Sequence, residues 1–157
     1  MKCMWTGRML AVLLCLTSCG KEEVKAAEPA IDTTRQLKIT IGDRTLTATL
    51  YDNPTARDFA SRLPLTIDLT DYDSSEKVFT PSPRLTTQGS PSGMNPRAGD
   101  IALFAPWGNI AIFYRKGTSS GSLIPVGRIE NGLDALELSG TLKDVKFELI
   151  EQNQKKP

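Results

Sequence analysis

The chain contains short runs in which apolar and polar residues alternate, and this pattern constrains its fold more than any other feature. The first two runs are Leu37–Ile41 and Thr45–Tyr51, and the segment Gly42-Asp43-Arg44 separates them. Alternation with a period of two is typical of a strand with one buried face, and a glycine turn between two such runs is typical of a hairpin. The sequence therefore predicts a β-hairpin at the start of the folded part.

Further strand-like runs follow, with two short helical segments among them. Asn53 and Pro54 suit the cap and the first position of a helix that would run to about Arg62. The runs Asp100–Ala105 and Asn109–Tyr114 are apolar almost throughout, which predicts central strands buried on both faces. The remaining expected elements are strands at Leu65–Leu69, Val78–Phe79, Arg84–Thr86, Leu123–Ile129 and Val145–Ile150, and a helical turn within Leu133–Leu138.

These elements fit one domain. About eight short strands with two short helices favour a mainly β fold, either a closed barrel or a sandwich. No internal repeat or linker divides the segment, so we expect one domain over residues 37–150 and a short tail at 151–157.

The first eighteen residues resemble a bacterial lipoprotein signal peptide. Lys2 and Arg8 accompany an apolar run over residues 9–16, which is much shorter than the roughly 20 residues of a membrane-spanning helix. The Leu-Thr-Ser-Cys sequence that ends at Cys19 resembles the lipobox, in which the cysteine becomes the lipidated first residue of the mature protein. A plain secretory signal and the start of a buried helix are the alternatives.

The same resemblance implies where the protein is held. It implies a signal peptide at 1–18, and the small, charged and aperiodic segment 19–36 then serves as a flexible tether. Lipid on Cys19 would anchor the protein to a membrane of the bacterial cell envelope. Gly20, rather than an aspartate, follows the cysteine, which leaves export to the outer membrane open.

The chain contains no histidine, which excludes a Ser-His-Asp triad, a Cys-His dyad and every His-ligated zinc site. Its 19 basic and 18 acidic side chains nearly balance, which argues against a nucleic-acid partner. Removal of the signal peptide would take Cys3 and Cys15 away and leave Cys19 lipidated, so no disulfide is expected. No cofactor is expected, and no metal either, because the aspartates around Tyr72 lack the spacing of a calcium loop.

The most apolar part of the folded chain adjoins a long loop rich in glycine and proline, Gln88–Gly99. Loops of that length are often functional. One interpretation is that the nearby aromatic residues fill the barrel. The other predicts an apolar groove for a proline-containing peptide or a small apolar ligand, in which Arg84 donates to a ligand carbonyl. The residues predicted for that groove are Phe79, Arg84, Met94, Phe104, Trp107 and Phe113.

Three segments resemble the bacterial cyclophilin-like domain family. They are YDNPTARDF (residues 51–59), GDIALFAPWGNIAIFY (99–114) and SLIPVGRIENGLDAL (122–136). The resemblance extends over about Leu37 to Ile150. It implies a closed β-barrel of about eight strands with helices that cap its ends.

The resemblance implies less about activity. True cyclophilins are peptidyl-prolyl isomerases, which lower a rotation barrier of about 18–20 kcal/mol with an arginine, a glutamine and an apolar pocket. Phe113 matches the pocket phenylalanine, Ala111 stands where the glutamine would be, and Arg84 is the candidate catalytic arginine, although its surrounding pattern is missing. The leading hypothesis is therefore binding without catalysis. The alternatives are an isomerase that uses Arg84 and a structural or assembly module of the envelope.

Overall fold

The computed structural model describes residues 35–150, which form a barrel of eight strands. The strands are β1 (Arg35–Ile41), β2 (Arg44–Leu50), β3 (Leu65–Tyr72), β4 (Glu76–Phe79), β5 (Asp100–Phe104), β6 (Asn109–Phe113), β7 (Leu123–Asn131) and β8 (Leu142–Leu149). One α-helix, α1 (Pro54–Ser61), and a 3-10 helix at Leu133–Leu136 accompany them. None of the helices in this part is long and apolar enough to cross a membrane. The predicted signal peptide, Cys19 and the tail at 151–157 lie outside the described residues.

The strands form a closed antiparallel barrel in the order β1-β2-β7-β5-β6-β4-β3-β8. The β1–β2 hairpin turns at Gly42, whose φ of 58° lies in the left-handed region that glycine adopts without strain. Strand β1 also pairs with β8, and this pairing closes the sheet so that no edge is left free. The prediction of a mainly β, closed barrel is confirmed.

The strand boundaries differ from the predicted ones in several places; β3 extends to Tyr72, β4 begins at Glu76 and β7 extends to Asn131. Strand β1 begins at Arg35, inside the segment that the sequence assigned to the tether, and β8 already begins at Leu142. The predicted strand Arg84–Thr86 is wrong, because the segment between β4 and β5 contains no strand. Pro81 and Pro83 lack amide donors, so this segment cannot form a regular ladder.

The core contains aliphatic side chains and four aromatic ones, three of which are phenylalanines that pack against one another. Phe59 of α1 packs against Phe79 of β4 and Phe147 of β8, with ring centroids 5.4–6.2 Å apart within the trio. The Asn53 side chain caps the helix by accepting a hydrogen bond of 2.9 Å from the amide of Ala56. The cap fixes where α1 begins, and the helix thereby inserts Phe59 into the core.

A buried lysine joins β4 to the segment that precedes β8. The side chain of Lys77 is inaccessible to solvent, and its ammonium donates to the carbonyls of Leu138 at 2.5 Å and Gly140 at 3.0 Å. The carboxylate of Asp71 lies 3.4 Å from the same ammonium and accepts a hydrogen bond of 2.7 Å from the hydroxyl of Tyr114. These oxygen atoms replace the water that the buried charge has lost.

We expect Lys77→Met to lower the free energy of unfolding by about 2–4 kcal/mol, because two carbonyls and a carboxylate lose their cationic partner. Lys146→Met is the matched control: this exposed lysine of β8 pairs only with Glu148, and we expect a loss of about 1 kcal/mol or less. Urea denaturation of both variants measures the difference. Equal stability of the two variants would show that the buried network contributes no net stability.

Candidate ligand-binding cleft

A cleft of about 580 Å³ lies on the outer side of the barrel wall, over β4 and β6 and the adjoining ends of β3, β5 and β7. Its polar and apolar lining residues come from three separate segments of the sequence, within residues 72–80, 104–113 and 118–123. They are Tyr72, Asp73, Ser75, Glu76, Val78, Thr80, Phe104, Trp107, Asn109, Ala111, Phe113, Thr118, Ser119, Ser120 and Leu123.

Strand β6 supplies the floor of the cleft through the alternation of its side chains. Ile110 and Ile112 belong to the barrel core, whereas Ala111 and Phe113 belong to a second apolar cluster together with Leu123 of β7. The prediction that β6 is buried on both faces is therefore confirmed. Its inner face closes the barrel core, and its outer face is the base of the cleft.

An aromatic wall stands at one side of this floor. Trp107, in the turn between β5 and β6, is 59% exposed, so it does not fill the barrel. Its ring is in edge-to-face contact with Phe104, with centroids 5.4 Å apart, and with Tyr72, with centroids 6.0 Å apart. Edge-to-face pairs of this kind are favourable and hold the rings in defined orientations. The wall is thus an ordered aromatic surface that faces both solvent and the cleft.

Arg84 holds the turn that carries Trp107. Its guanidinium donates a hydrogen bond of 3.0 Å to the carbonyl of Pro106. It also lies directly against Gly108, where a Cβ atom would be 2.8 Å from the Arg84 Nε atom. Gly108 has a φ of 70°, so both the backbone conformation and the close approach favour glycine. The sequence predicted that Arg84 donates to a ligand carbonyl; in the structure its acceptor is a carbonyl of the protein, and Arg84 is not among the lining residues.

The opposite wall is the loop between β6 and β7. Met94 and Ser120 form two backbone hydrogen bonds of 3.1 Å with each other, which fasten this loop to the long loop before β5. Gly117 packs so closely on the ring of Phe113 and on Pro96 that a Cβ atom there would overlap with both. The glycine thereby allows the loop to descend onto the floor of the cleft.

The polar groups of the cleft include two carboxyl groups and a buried amide oxygen as hydrogen-bond acceptors. Burial and the negative charge of Asp73 together raise the pKa of the Glu76 carboxyl from 4.5 to about 7. Asn109 is only 8% exposed, and its Oδ1 atom is buried without a hydrogen-bond partner among the described residues. Buried acceptors are normally paired in folded proteins, so an unpaired one in a cleft indicates a place for a donor.

The cleft contains three of the six residues that the sequence predicted for a groove: Phe104, Trp107 and Phe113. Met94 packs against the same outer apolar cluster. Phe79 does not line the cleft, because side chains alternate along β4 and Phe79 points into the barrel core. The prediction chose the wrong face of β4 for this residue.

The sequence analysis missed the polar half of the cleft. Glu76 lies on the same face of β4 as Val78, and Tyr72 pairs with Glu76 across from β3. Asn109 opens a run that was recognised only for its apolar residues. The period of two could have assigned Glu76 and Val78 to one face, but the pairing of β4 with both β3 and β6 decided that this face lies beside Trp107.

A closed barrel of eight antiparallel strands with a cleft on its outer wall defines a class of small β proteins. Residues 39–148 match the cyclophilin-like family, and the chain belongs to that family. The fold is similar to that of the hypothetical protein AF2241 from Archaeoglobus fulgidus, known from a solution structure, with a TM-score of 0.59. The two chains are 21% identical, and the similarity covers 73% of this chain and 94% of the archaeal one, so it shows the fold alone. No protein with a curated description matches the chain at a significant level.

We expect Gly117→Ala to lower the free energy of unfolding by about 1–3 kcal/mol and to disturb the cleft, because the added methyl group overlaps with Phe113 and Pro96. Gly121→Ala is the matched control, since no atom lies within 4 Å of the added methyl group at that position of the same loop. Thermal unfolding and the amide NMR spectrum would measure both effects. Equal behaviour of the two variants would contradict the close packing of Gly117 on the cleft floor.

Proposed function

We propose that the cleft is a binding site for a peptide or a small apolar ligand, and that the protein binds this ligand without catalysing a reaction. The observation that carries the proposal is the position of Trp107, which is 59% exposed beside a floor formed by Ala111, Phe113 and Leu123. A concave apolar surface with an exposed tryptophan at its rim is typical of sites that bury a ligand.

The size and chemistry of the cleft support this proposal. Its volume of about 580 Å³ lies within the range of about 300–1,000 Å³ that is common for ligand sites. Aromatic rings such as those of Trp107, Tyr72 and Phe104 suit extended peptides that contain proline, because a proline ring packs flat on an aromatic face. The hydroxyl groups of Ser119 and Ser120 add hydrogen-bonding capacity along the opposite wall.

Two observations favour binding without catalysis over isomerisation. The guanidinium that the resemblance assigned to catalysis, that of Arg84, donates to the carbonyl of Pro106 and holds a turn. Ala111, in the floor of the cleft, carries no group that could hydrogen-bond a prolyl substrate. Both observations support a function for the cleft that depends on its shape and its aromatic wall.

We further propose that the protein performs this function at a membrane of the bacterial cell envelope, anchored by lipid on Cys19. The support is the sequence alone: a positively charged start, a short apolar run and the Leu-Thr-Ser-Cys segment. The tether would give the barrel freedom to meet ligands near the membrane surface.

Tryptophan fluorescence tests ligand binding directly. In full-length protein that carries Trp5→Phe, Trp107 is the only tryptophan. We expect proline-containing peptides to produce a saturable change in its emission. Leu123→Ala should weaken binding by about fivefold to tenfold through the loss of apolar contact in the floor. Leu133→Ala is the matched control, because that leucine packs against the barrel core and is not part of the cleft lining.

Two other results would redirect the interpretation. The same sample should leave the cis–trans exchange of a prolyl test peptide unaccelerated. Acceleration that is lost in Arg84→Ala would support the isomerase instead. A Trp107 emission that no peptide changes would contradict the ligand-binding proposal and favour the structural or assembly module, which crosslinking in the envelope would then examine.

Incorporation of labelled palmitate in a bacterial host tests the lipid anchor. We expect Cys19→Ser to abolish labelling and to move the protein from the membrane fraction to the soluble fraction, because the lipid is its only proposed attachment. Cys15→Ser is the matched control, since Cys15 lies in the apolar run and should leave labelling unchanged. Labelling that survives in Cys19→Ser would contradict the proposed lipid site.

A further inference from the structure

The charge of the cleft has one sign. Asp73 and Glu76 are the only charged side chains that line it, and no lysine or arginine of the described residues does so. Neither carboxylate is within ion-pair distance of a basic side chain of residues 35–150. Arg115, which follows β6, donates a hydrogen bond of 3.0 Å to the backbone carbonyl of Ser74 instead. The cleft therefore presents negative charge that the protein does not neutralise.

The surroundings of Glu76 disfavour the ionised form of its carboxyl group. On β4 Glu76 pairs with Tyr72 of β3 on one side and with Phe113 of β6 on the other. Neither neighbour offers a positive charge, and the negative charge of Asp73 acts on the same carboxyl. Burial and Asp73 are the two causes that raise its pKa to about 7. A cation that enters the cleft would offset both, since an opposite charge at close range favours the ionised carboxylate.

Asn109 is an independent observation, because it carries a buried hydrogen-bond acceptor for which the described residues supply no donor. The residue is 8% exposed and lines the cleft, and its buried Oδ1 atom accepts no hydrogen bond from the described residues. Asn109 and Phe113, the partner of Glu76, stand four residues apart on β6. That separation corresponds to about 13 Å along a strand, which an extended peptide of about four residues spans.

The aromatic wall agrees with a positively charged occupant. The faces of tryptophan and tyrosine rings attract ammonium and guanidinium groups. Tyr72, which is 46% exposed, pairs with Glu76 across the strands and touches the ring of Trp107. A cation beside Glu76 would therefore meet a carboxylate and aromatic rings in one place.

We propose that the occupant of the cleft is an extended peptide that carries a lysine or arginine side chain. Its cationic group lies beside Glu76 and Tyr72, and one of its peptide N–H groups donates to Asn109 Oδ1 once the Asn109 amide has rotated toward the cleft. This inference rests on the proposed ligand-binding function of the cleft and specifies its ligand. The aliphatic stem of the basic side chain would lie on the apolar floor near Phe113.

The affinity for such a peptide should rise with pH. A lysine side chain stays protonated between pH 6 and 8, because its ordinary pKa is about 10.4. The Glu76 carboxyl, whose pKa is about 7, changes from mostly protonated to mostly ionised over that interval. Asp73 is the charged side chain that acts on it, and Tyr72 and Phe113 flank it without charge. Attraction to the cation therefore strengthens from pH 6 to pH 8.

Calorimetric titration of the full-length protein with three peptides tests the proposal. The probes are acetyl-Lys-Ala-Pro-Leu-Ala-amide and the same peptide with norleucine or glutamate in place of lysine. At pH 8 we expect the lysine peptide to bind about tenfold more tightly than the norleucine peptide, and the glutamate peptide to bind least. At pH 6 the preference for lysine should fall to about twofold, as the carboxylate is protonated.

Three variants, one of them a control, connect peptide binding to the named side chains. Glu76→Gln should remove the preference for lysine and its pH dependence, while norleucine-peptide binding persists. Glu137→Gln, an exposed glutamate outside the cleft lining, should leave both unchanged. Asn109→Ala should weaken the lysine and norleucine peptides by the same factor, since it removes an acceptor for the backbone. The pH series on the unsubstituted protein tests the proposal even if Glu76→Gln does not fold.

The outcomes separate the two proposals. Equal affinities of the lysine and norleucine peptides at pH 8 would overturn the cationic ligand and leave the binding cleft standing. A preference for lysine that is independent of pH and survives in Glu76→Gln would overturn the role of Glu76. Failure of all three peptides to bind would overturn the cationic-peptide inference, and the proline-peptide titration of Trp107 would then decide separately whether the cleft binds a ligand.

Discussion

Two neighbouring strands with apolar side chains on both faces are the constraint on which the rest of this structure depends. In β5 and β6 every second residue faces the barrel core, and Ala102, Phe104, Ala111 and Phe113 on the other face pack into a second apolar cluster outside it. An apolar outer face cannot remain in water without a cost of about 25 cal/mol per Å². Met94 and Gly117 of the neighbouring loops pack on that face, and Ala111, Phe113 and Leu123, which are 1–4% exposed, form the floor of the cleft.

The cleft keeps its shape because its walls are attached to this rigid floor by short-range contacts. Arg84 and Gly108 hold the turn that presents Trp107, and Gly117 brings the opposite loop onto Phe113. The barrel beneath has no free edge, so the floor cannot open without breaking strand pairs. A closed sheet thereby gives a small domain both a core and a preformed concave surface.

The alternation of apolar residues predicted most of the fold, because a period of two is a local property of a strand. It predicted the β1–β2 hairpin. Asn53 and Pro54 predicted the helix that follows them, and the continuous apolar runs predicted the doubly buried strands β5 and β6. The alternation could not predict which face of β4 would turn inward, since Val78 and Phe79 are both apolar. Phe79 was consequently assigned to the cleft, although it packs against Phe59 in the core.

The sequence by itself determined that the chain forms short strands, that two of them are apolar on both faces, and that no histidine-dependent chemistry is available. Only the tertiary structure decided where the polar cleft residues meet. Tyr72, Glu76 and Asn109 come from β3, β4 and β6, and their neighbourhood depends on the strand order of the closed barrel. That order is fixed by long-range pairing, which carries no signature within any one segment of the sequence.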